Sequence, residues 1–562
     1  MKLALILSGA VSLGSFEAGV LTEVLYVLDL LAERGTPCTL DVITGASAGS
    51  MTAALVARAV MNDFADRALL HDAWVERIDI RALASAIPPN AFLSRAPIER
   101  TAADFLTGRP LGSAARARCA PEQLRLGFTL SNITGVDYAI PDRLSQGAAF
   151  TSTFYAERRR FTIDRASAED RETWEAVKRA AVASGNFPLA FPPTMLASAK
   201  ESWPNAATDP LPGEFCYVDG GIFNNEPIKE AVQLSLAADG GEIDDERKFL
   251  LVDANLDRSA VQEFTSEKSL LATAARLAAI IEGESAANDW LRARRVNQEI
   301  AWRDELLPRL RGMVESNGVA DPRAFNDELR RSAESIVARK QELFPGRYPA
   351  DYLDQSLIRT ARKHAEVIAG LGPERTAMLT TMIFVLNSIA GLDKKDELDI
   401  DVIYADPGQT AGDRLMSFGG FFNREWREFD FRLGRQKAYA LLPRILGVEK
   451  DYPRERGPQG MDLYVNRVDY SNVDMKDADV AQRRILRDSA VAKVQAMSSE
   501  AKASAGIIGS LPLCVMGALA VLAPDYVGLL FTRSAGHIML AICVLVMFTG
   551  VLVMRKMINF DM

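Results

Sequence analysis

Leu40-Asp41-Val42-Ile43-Thr44-Gly45-Ala46-Ser47-Ala48-Gly49-Ser50-Met51-Thr52-Ala53-Ala54-Leu55-Val56-Ala57 reads as a short apolar strand, a turn of small residues and an alanine-rich helix. Within it, Gly45 to Gly49 has the G-x-S-x-G form of a nucleophile elbow. The strand-to-helix turn of such an elbow is so tight that a larger side chain beside the serine clashes. Ala46 and Ala48, set between two glycines, meet that demand. Five residues alone also fit an ordinary small-residue turn, but here strand, turn and helix follow in the required order. An α/β fold is expected, with Ser47 as candidate nucleophile.

The chain has only three histidines. The order Ser47, Asp253, His364 could supply a Ser-Asp-His triad. His364, however, lies in Thr360-Ala361-Arg362-Lys363-His364-Ala365-Glu366, which reads as a charged, solvated helix face. His71, in Leu69-Leu70-His71-Asp72-Ala73-Trp74, looks equally helical, and His537 borders a long apolar run. A base other than imidazole is therefore expected. Asp219 is the candidate: the apolar stretch Phe215-Cys216-Tyr217-Val218 ends at it, and Gly220-Gly221 then lets the backbone turn sharply and approach another group. Alone, such an aspartate would read as a turn cap.

The N-terminus supplies a third part. Leu3-Ala4-Leu5-Ile6-Leu7 reads as a buried strand, followed by the small-residue loop Ser8-Gly9-Ala10-Val11-Ser12-Leu13-Gly14-Ser15 and a helix from Phe16 to Glu33. A loop that opens a helix aims backbone N–H groups at one point, which suits an oxyanion or a phosphate. Gly9 and Gly14 have Walker A spacing, but Ser15 stands where the lysine belongs. The apolar run before the loop is shorter than a signal-peptide core, so a strand of the mature fold is expected.

These residues resemble the patatin-like phospholipases over roughly residues 1 to 255, in four ordered blocks. The blocks are Gly9 to Gly14, Gly45 to Gly49, the small-residue-then-proline segment Ala180 to Pro193, and Asp219-Gly220-Gly221. The resemblance implies an α/β/α sandwich catalytic domain and a lipid acyl hydrolase of phospholipase A or lysophospholipase type. Ser47 would be the nucleophile, Asp219 the base, and the N–H groups of Gly9, Ala10 and Val11 the oxyanion donors, with Gly14, Gly45, Gly49, Gly220 and Gly221 as motif glycines. No metal or cofactor is implied. The loop departs from the family pattern at Ala10 and Val11, which replace glycines, and at Leu13, which replaces a basic residue. Three alternatives stand beside this reading: a non-catalytic membrane-anchored scaffold, an anion-binding module built on the Gly9 loop, and a Ser-His-Asp esterase using His364.

A formal net charge of −9 and a pI near 5.3 argue against a nucleic-acid partner. Cys38, Cys119, Cys216, Cys514 and Cys543 are scattered without C-x-x-C spacing, indicating neither a disulfide framework nor a zinc site. Three regions are expected: a catalytic domain over 1–255, a mainly helical domain or cap with a linker helix over 256–504, and two transmembrane helices within 505–556. The block Phe418 to Arg435 interleaves aromatics, arginines and acids. It is similar to a tryptophan-arginine-aspartate-glycine-arginine segment of larger bacterial patatin-related proteins, and reads as a helix packed on the catalytic domain. Ile507 to Ala523 and Ile538 to Met554 are uncharged apolar runs near the lower limit for a span. Lys493 and Lys502 precede the first run and Arg555 and Lys556 follow the second, while Arg533 is the only base between them. The positive-inside rule then places both ends, and the catalytic domain, in the cytoplasm. The expected setting is a bacterial inner membrane, with the bilayer and a membrane phospholipid or other lipid ester as partners.

Overall fold

A computed structural model describes residues 1–255 and 295–448, with short interruptions that include 64–67, 111–116, 142–148 and 414–416. The expected linker helix, both apolar runs and His537 lie outside the described residues. By its contacts the chain divides into two compact units. Among the described residues, the first comprises Met1–Asp79, Arg95–Pro188 and those from Pro192 to Val448, and the second comprises Ile80–Ser94 and Leu189–Phe191. In the second unit, the Ser94 N–H closes the turn Ile80–Leu83 by donating to the Leu83 carbonyl at 2.6 Å, and Phe92 and Leu93 N–H groups donate to Leu189 and Ala190.

The first unit is built on an eight-stranded sheet ordered β5-β6-β3-β2-β1-β7-β8, with β4 paired to β3. Its strands are β1 (Lys2–Leu7), β2 (Thr39–Gly45), β3 (Leu124–Pro141), β4 (Ala149–Ile163), β5 (Thr194–Ala197), β6 (Glu214–Val218), β7 (Arg247–Asp253) and β8 (Ile400–Tyr404). The run from β3 through β2, β1 and β7 to β8 is parallel, whereas β4, β5 and β6 join antiparallel. Parallel strands covered on both faces need continuous apolar sequence rather than alternation. Leu3 to Leu7 supplies it, and all five residues are fully buried. Ala4 and Ile6 pack with Val42, Phe249 and Leu251 against Ile228, Ala231 and Leu234 of the helix Ile228–Ala238. The N-terminal strand thus lies in the middle of the sheet, between β2 and β7.

Two helices follow the first two strands: α1 (Gly14–Glu33) and α2 (Ala48–Arg58). The stretch Val11–Glu33 is the one described helix long and apolar enough to cross a membrane, and it is mostly buried inside the protein, as a core helix would be.

The expected catalytic domain ends at residue 255, just after β7. The structure adds β8, 147 residues after β7 ends, which pairs with it from Phe249↔Ile400 to Asp253↔Tyr404. Only Ile403 of β8 is fully buried, so this edge strand lacks the apolar run that marks the central ones. The rest of the described region after residue 295 is helical, including Pro322–Leu343, Tyr352–Lys363, Pro373–Ala390 and Arg424–Leu446.

The last of these helices packs along α1. A Cβ on Gly19 would fall 1.9 Å from the Phe431 carbonyl oxygen, and one on Gly434 2.1 Å from that of Phe16, so both glycines permit contact of the two backbones. Beside this crossing Arg435 donates to Glu23 at 2.9 Å, with both side chains fully buried. The block read from sequence as a packing helix is therefore a lid on α1, and it belongs to the same compact unit as the sheet.

At the amino ends of the central strands, Arg247 forms a buried fork to Asp41 at 2.6 and 2.8 Å and a second contact to Asp239 at 2.7 Å, while Lys2 reaches Asp239 at 2.8 Å. Burial opposes ionisation of Asp239, but Arg247 and Lys2 outweigh it and hold the carboxyl down to about 2, against 3.8 unperturbed. A carboxyl depressed by folding contributes stability that is complete above its unfolded pKa and is lost as pH falls through the folded one. Asp239→Asn should therefore flatten the loss of stability between pH 3.8 and 2, read from urea midpoints across that range, while lowering stability at pH 7.

Candidate active site

The register of the central strands creates the site. Leu7 and Gly45 are paired at the carboxyl ends of β1 and β2, so the loops that follow emerge side by side, where parallel sheets commonly bind ligands. The chain after β2 turns at Ser47, whose φ of 51° and ψ of −126° are strained for a residue with a Cβ. The turn fits only because its flanks are bare. A Cβ on Gly45 would lie 2.5 Å from the Gly49 carbonyl oxygen, and one on Gly49 2.5 Å from that of Ser8.

Asp219 arrives from the opposite direction. β3 continues past its pairing with β2, and the antiparallel β6 runs back beside it until Val218 pairs with Ser131. Asp219 is the next residue, set at the level of the elbow. Ser47 Oγ donates to Asp219 Oδ2 at 2.6 Å, with both residues nearly buried. Asp219 Oδ1 accepts the Gly221 N–H at 2.7 Å, its carbonyl accepts the Ser131 hydroxyl at 2.6 Å, and its N–H donates to the Asn186 carbonyl at 3.0 Å. The carboxylate is thus oriented by its own turn and by the 180–193 segment.

The first loop differs from the sequence expectation in one donor. The Gly9 N–H is already committed to the Asn225 carbonyl at 3.2 Å, which leaves Ala10 and Val11 as the donors it can present. Val11 opens a short 3-10 turn, Val11–Leu13, with φ at 49°, a rare conformation for a β-branched residue. Of the remaining motif glycines, Gly14 lies against Trp74, Gly220 against the Thr129 backbone and Gly221 against Asn225 and Asp219. Glu17, in the first turn of α1, is fully buried, and burial together with Asp253 pushes its carboxyl well above the usual range.

Two supporting residues have no part in the reading of the sequence. Ser184 Oγ accepts the Ser47 N–H at 3.0 Å and bonds to the Ser50 hydroxyl at 2.8 Å. Asn225 bridges the Gly9 loop and the Asp219 turn, close to both Gly9 and Gly221. Each is a small polar residue in a motif segment, a signal too common to single out.

Neither described histidine partners Ser47, whose hydroxyl proton points to Asp219. His364 caps the helix Tyr352–Lys363 and is buried rather than solvated, so burial and Arg303 lower its pKa to about 4. His71 pairs with Glu428 at 2.8 Å. Burial works against its protonation, but Glu428 raises its pKa overall. His71, Glu76 and Glu428 have the composition of a metal site. Arg424 occupies Glu76, and Arg432 pairs with Glu428 at 2.7 Å. The described Cys38, Cys119 and Cys216 are free thiols.

Residues 5–232 match the family model for patatin-like phospholipase. The patatin-like match spans the loop after β1, the elbow and Asp219, and the family is one of lipid acyl hydrolases. A curated relative, the uncharacterized protein y4iI of Sinorhizobium fredii, is 24% identical over 328 residues, which cover 42% of this chain and 46% of that protein. The chain thus matches less than half the length of that relative. Among solved structures, VipD from Legionella pneumophila aligns over 55% of each chain at 14% identity with a TM-score of 0.22, too slight a likeness to place any residue.

Ser184→Ala leaves the buried Ser47 N–H without its acceptor, a loss of about 1–3 kcal/mol for a buried polar group. The variant should unfold at lower urea with an unchanged m-value, and Ser47 should exchange its amide proton faster.

Proposed function

We propose that the chain is a lipid acyl hydrolase that cleaves carboxylic esters of membrane lipids through a Ser47–Asp219 dyad. The observation that carries this reading is the 2.6 Å hydrogen bond from Ser47 Oγ to Asp219 Oδ2 on a strained elbow. Asp219 takes the hydroxyl proton as Ser47 Oγ attacks the ester carbonyl carbon. The carbonyl oxygen becomes an oxyanion that accepts from the Ala10 and Val11 N–H groups. Collapse of this intermediate breaks the ester C–O bond, and the proton on Asp219 passes to the leaving alkoxide. A water, deprotonated by Asp219, then attacks the acyl-enzyme and releases the fatty acid with Ser47 restored. An unperturbed aspartate, with a pKa of about 3.9, is a weak base for an alcohol, so preorganised donors and positioning must carry much of the rate.

A place for an acyl chain lies next to the elbow. Met51 and Leu55, one and two turns beyond Ser47 on α2, line a small pocket with Trp74, Ile98, Leu106 and Val182. Its walls are almost wholly apolar, as a hydrocarbon chain requires. Membrane attachment through two spans with cytoplasmic ends is proposed from the apolar runs at 507–523 and 538–554.

Ser47→Ala and Asp219→Asn should each remove nearly all hydrolysis of a short-chain ester while the protein stays folded by circular dichroism, because nucleophile and base act as one unit. His364→Ala should retain activity within a few-fold, far from the losses of about 10⁴ that follow removal of a triad histidine. A serine-directed phosphonate should label the wild type and spare Ser47→Ala; absence of labelling in the wild type would favour the non-catalytic scaffold.

Two spanning helices hold a protein in the bilayer effectively irreversibly. The full-length chain should therefore stay with membranes through a carbonate wash, and its release would remove the transmembrane reading.

A further inference from the structure

Ser12 directly follows the strained Val11 and is fully buried. Its hydroxyl donates to the Ser417 carbonyl and accepts the Gly420 N–H at 3.0 Å, so both of its hydrogen-bonding roles are filled by one segment some 400 residues downstream. The contact is close: a Cβ on Gly420 would sit 2.7 Å from Ser12 Oγ, and one on Gly412 3.0 Å from the Leu13 side chain.

The downstream segment is itself held rigidly. Arg427, nearly fully buried, donates to the carbonyls of Gly420 and Val75 at 2.9 Å each. Asp430 accepts the N–H groups of Ala411 and Gly412 at 2.7 and 2.9 Å. Both residues lie on the Arg424–Leu446 helix, which is locked on α1 by Gly19, Gly434 and the buried Glu23–Arg435 pair. Phe418 also meets Phe187 edge to face at 5.4 Å, and Phe187 follows Asn186, whose carbonyl holds the Asp219 N–H.

A β-branched residue stays at positive φ only where its surroundings over-determine the backbone. We infer that Ser12 is a positioning residue: through its two bonds to Ser417 and Gly420, the 417–435 segment sets the direction of the Val11 N–H and so the oxyanion donors of the reaction. This rests on the hydrolase reading above. Its consequence is that the region after residue 255 forms part of the catalytic apparatus although none of its side chains need touch the substrate.

The test uses the full chain. Ser12→Ala removes both bonds, Gly420→Ala pushes a methyl group against Ser12, and Lys437→Ala, on the same helix as Arg427 and Asp430 but removing only an ion pair to Asp406 in the loop after β8, serves as control. One oxyanion donor is worth about 10²- to 10³-fold in rate, so misdirecting one should lower kcat on a short-chain ester by at least about 10-fold. KM should stay within about 2-fold, because the donor acts on the transition state. Hydrogen exchange over residues 9–13 should accelerate in both variants and not in the control. Unchanged kcat and unchanged exchange in folded Ser12→Ala would overturn the inference. So would a loss of activity matched by the unfolded fraction, with wild-type exchange in the folded remainder. If wild-type protein shows no Ser47-dependent hydrolysis, the hydrolase reading fails separately. Exchange then decides whether Ser12 pins the loop at all, and wild-type exchange in Ser12→Ala discards the pin.

Discussion

The approach of β1 and β2 at their carboxyl ends is the constraint on which the rest depends. Leu7 and Gly45 are paired neighbours, and Gly49, two residues past the serine, presses on the Leu7 and Ser8 carbonyls with no room for a Cβ. Two loops from adjacent parallel strands are thereby forced into contact before any side chain is chosen. The elbow must then turn within its own width, which strains Ser47, and the β1 loop must open directly over it, which places Ala10 and Val11. Asp219 needs a different device. An additional parallel strand would carry it away from this edge, whereas the antiparallel β6 returns it to the level where β2 ends, with Ser131 and Thr129 of β3 as its backstop.

How legible each part is in sequence follows from how local its cause is. The elbow, the strand before it and the Asp219-Gly220-Gly221 turn are set by steric demands within a few residues, so they can be read from composition and order. β8 could not be found that way, because an edge strand with one fully buried residue has almost no apolar signature. The state of His364 was also hidden. Its neighbours in sequence are charged, yet it is buried, and the charge of Arg303, about 60 positions away in the chain, adds to burial in lowering its pKa. The Gly9 N–H was assigned to the oxyanion because a loop's free donors can be counted from sequence only until a distant carbonyl, here that of Asn225, takes one.

The Trp426 to Arg435 block illustrates the middle case. Its interleaved arginines and acids read as a packing helix, but the pattern does not say which of the charges go inside: Arg427, Asp430 and Arg435 are all essentially buried. Burying a charge is costly unless it is paired or fully hydrogen-bonded. Each of these has a specific answer: backbone carbonyls for Arg427, two backbone N–H groups for Asp430 and Glu23 for Arg435. For Arg427, burial outweighs the nearby charges of Asp79 and Glu76 and lowers the pKa to about 10, still well above neutrality, so the guanidinium stays charged. Such contacts are directional, and an apolar helix could slide along α1 where this one cannot.

That directionality bears on how an aspartate could serve where most serine hydrolases use histidine. In a triad, the acid orients the imidazole and fixes which atom faces the serine. At Asp219 the Gly221 N–H holds Oδ1 at 2.7 Å and leaves Oδ2 facing Ser47. The orientation is therefore a property of the backbone, and it is only as good as the placement of the Asp219 turn against Asn186 and Ser131. With a weak base of fixed direction, small errors in the opposing donors cannot be absorbed by rotating a side chain. In the proposed mechanism, both halves of the site must be held from outside: the acid by β3 and the 180–193 segment, the donors by the segment that ends in the buried helix.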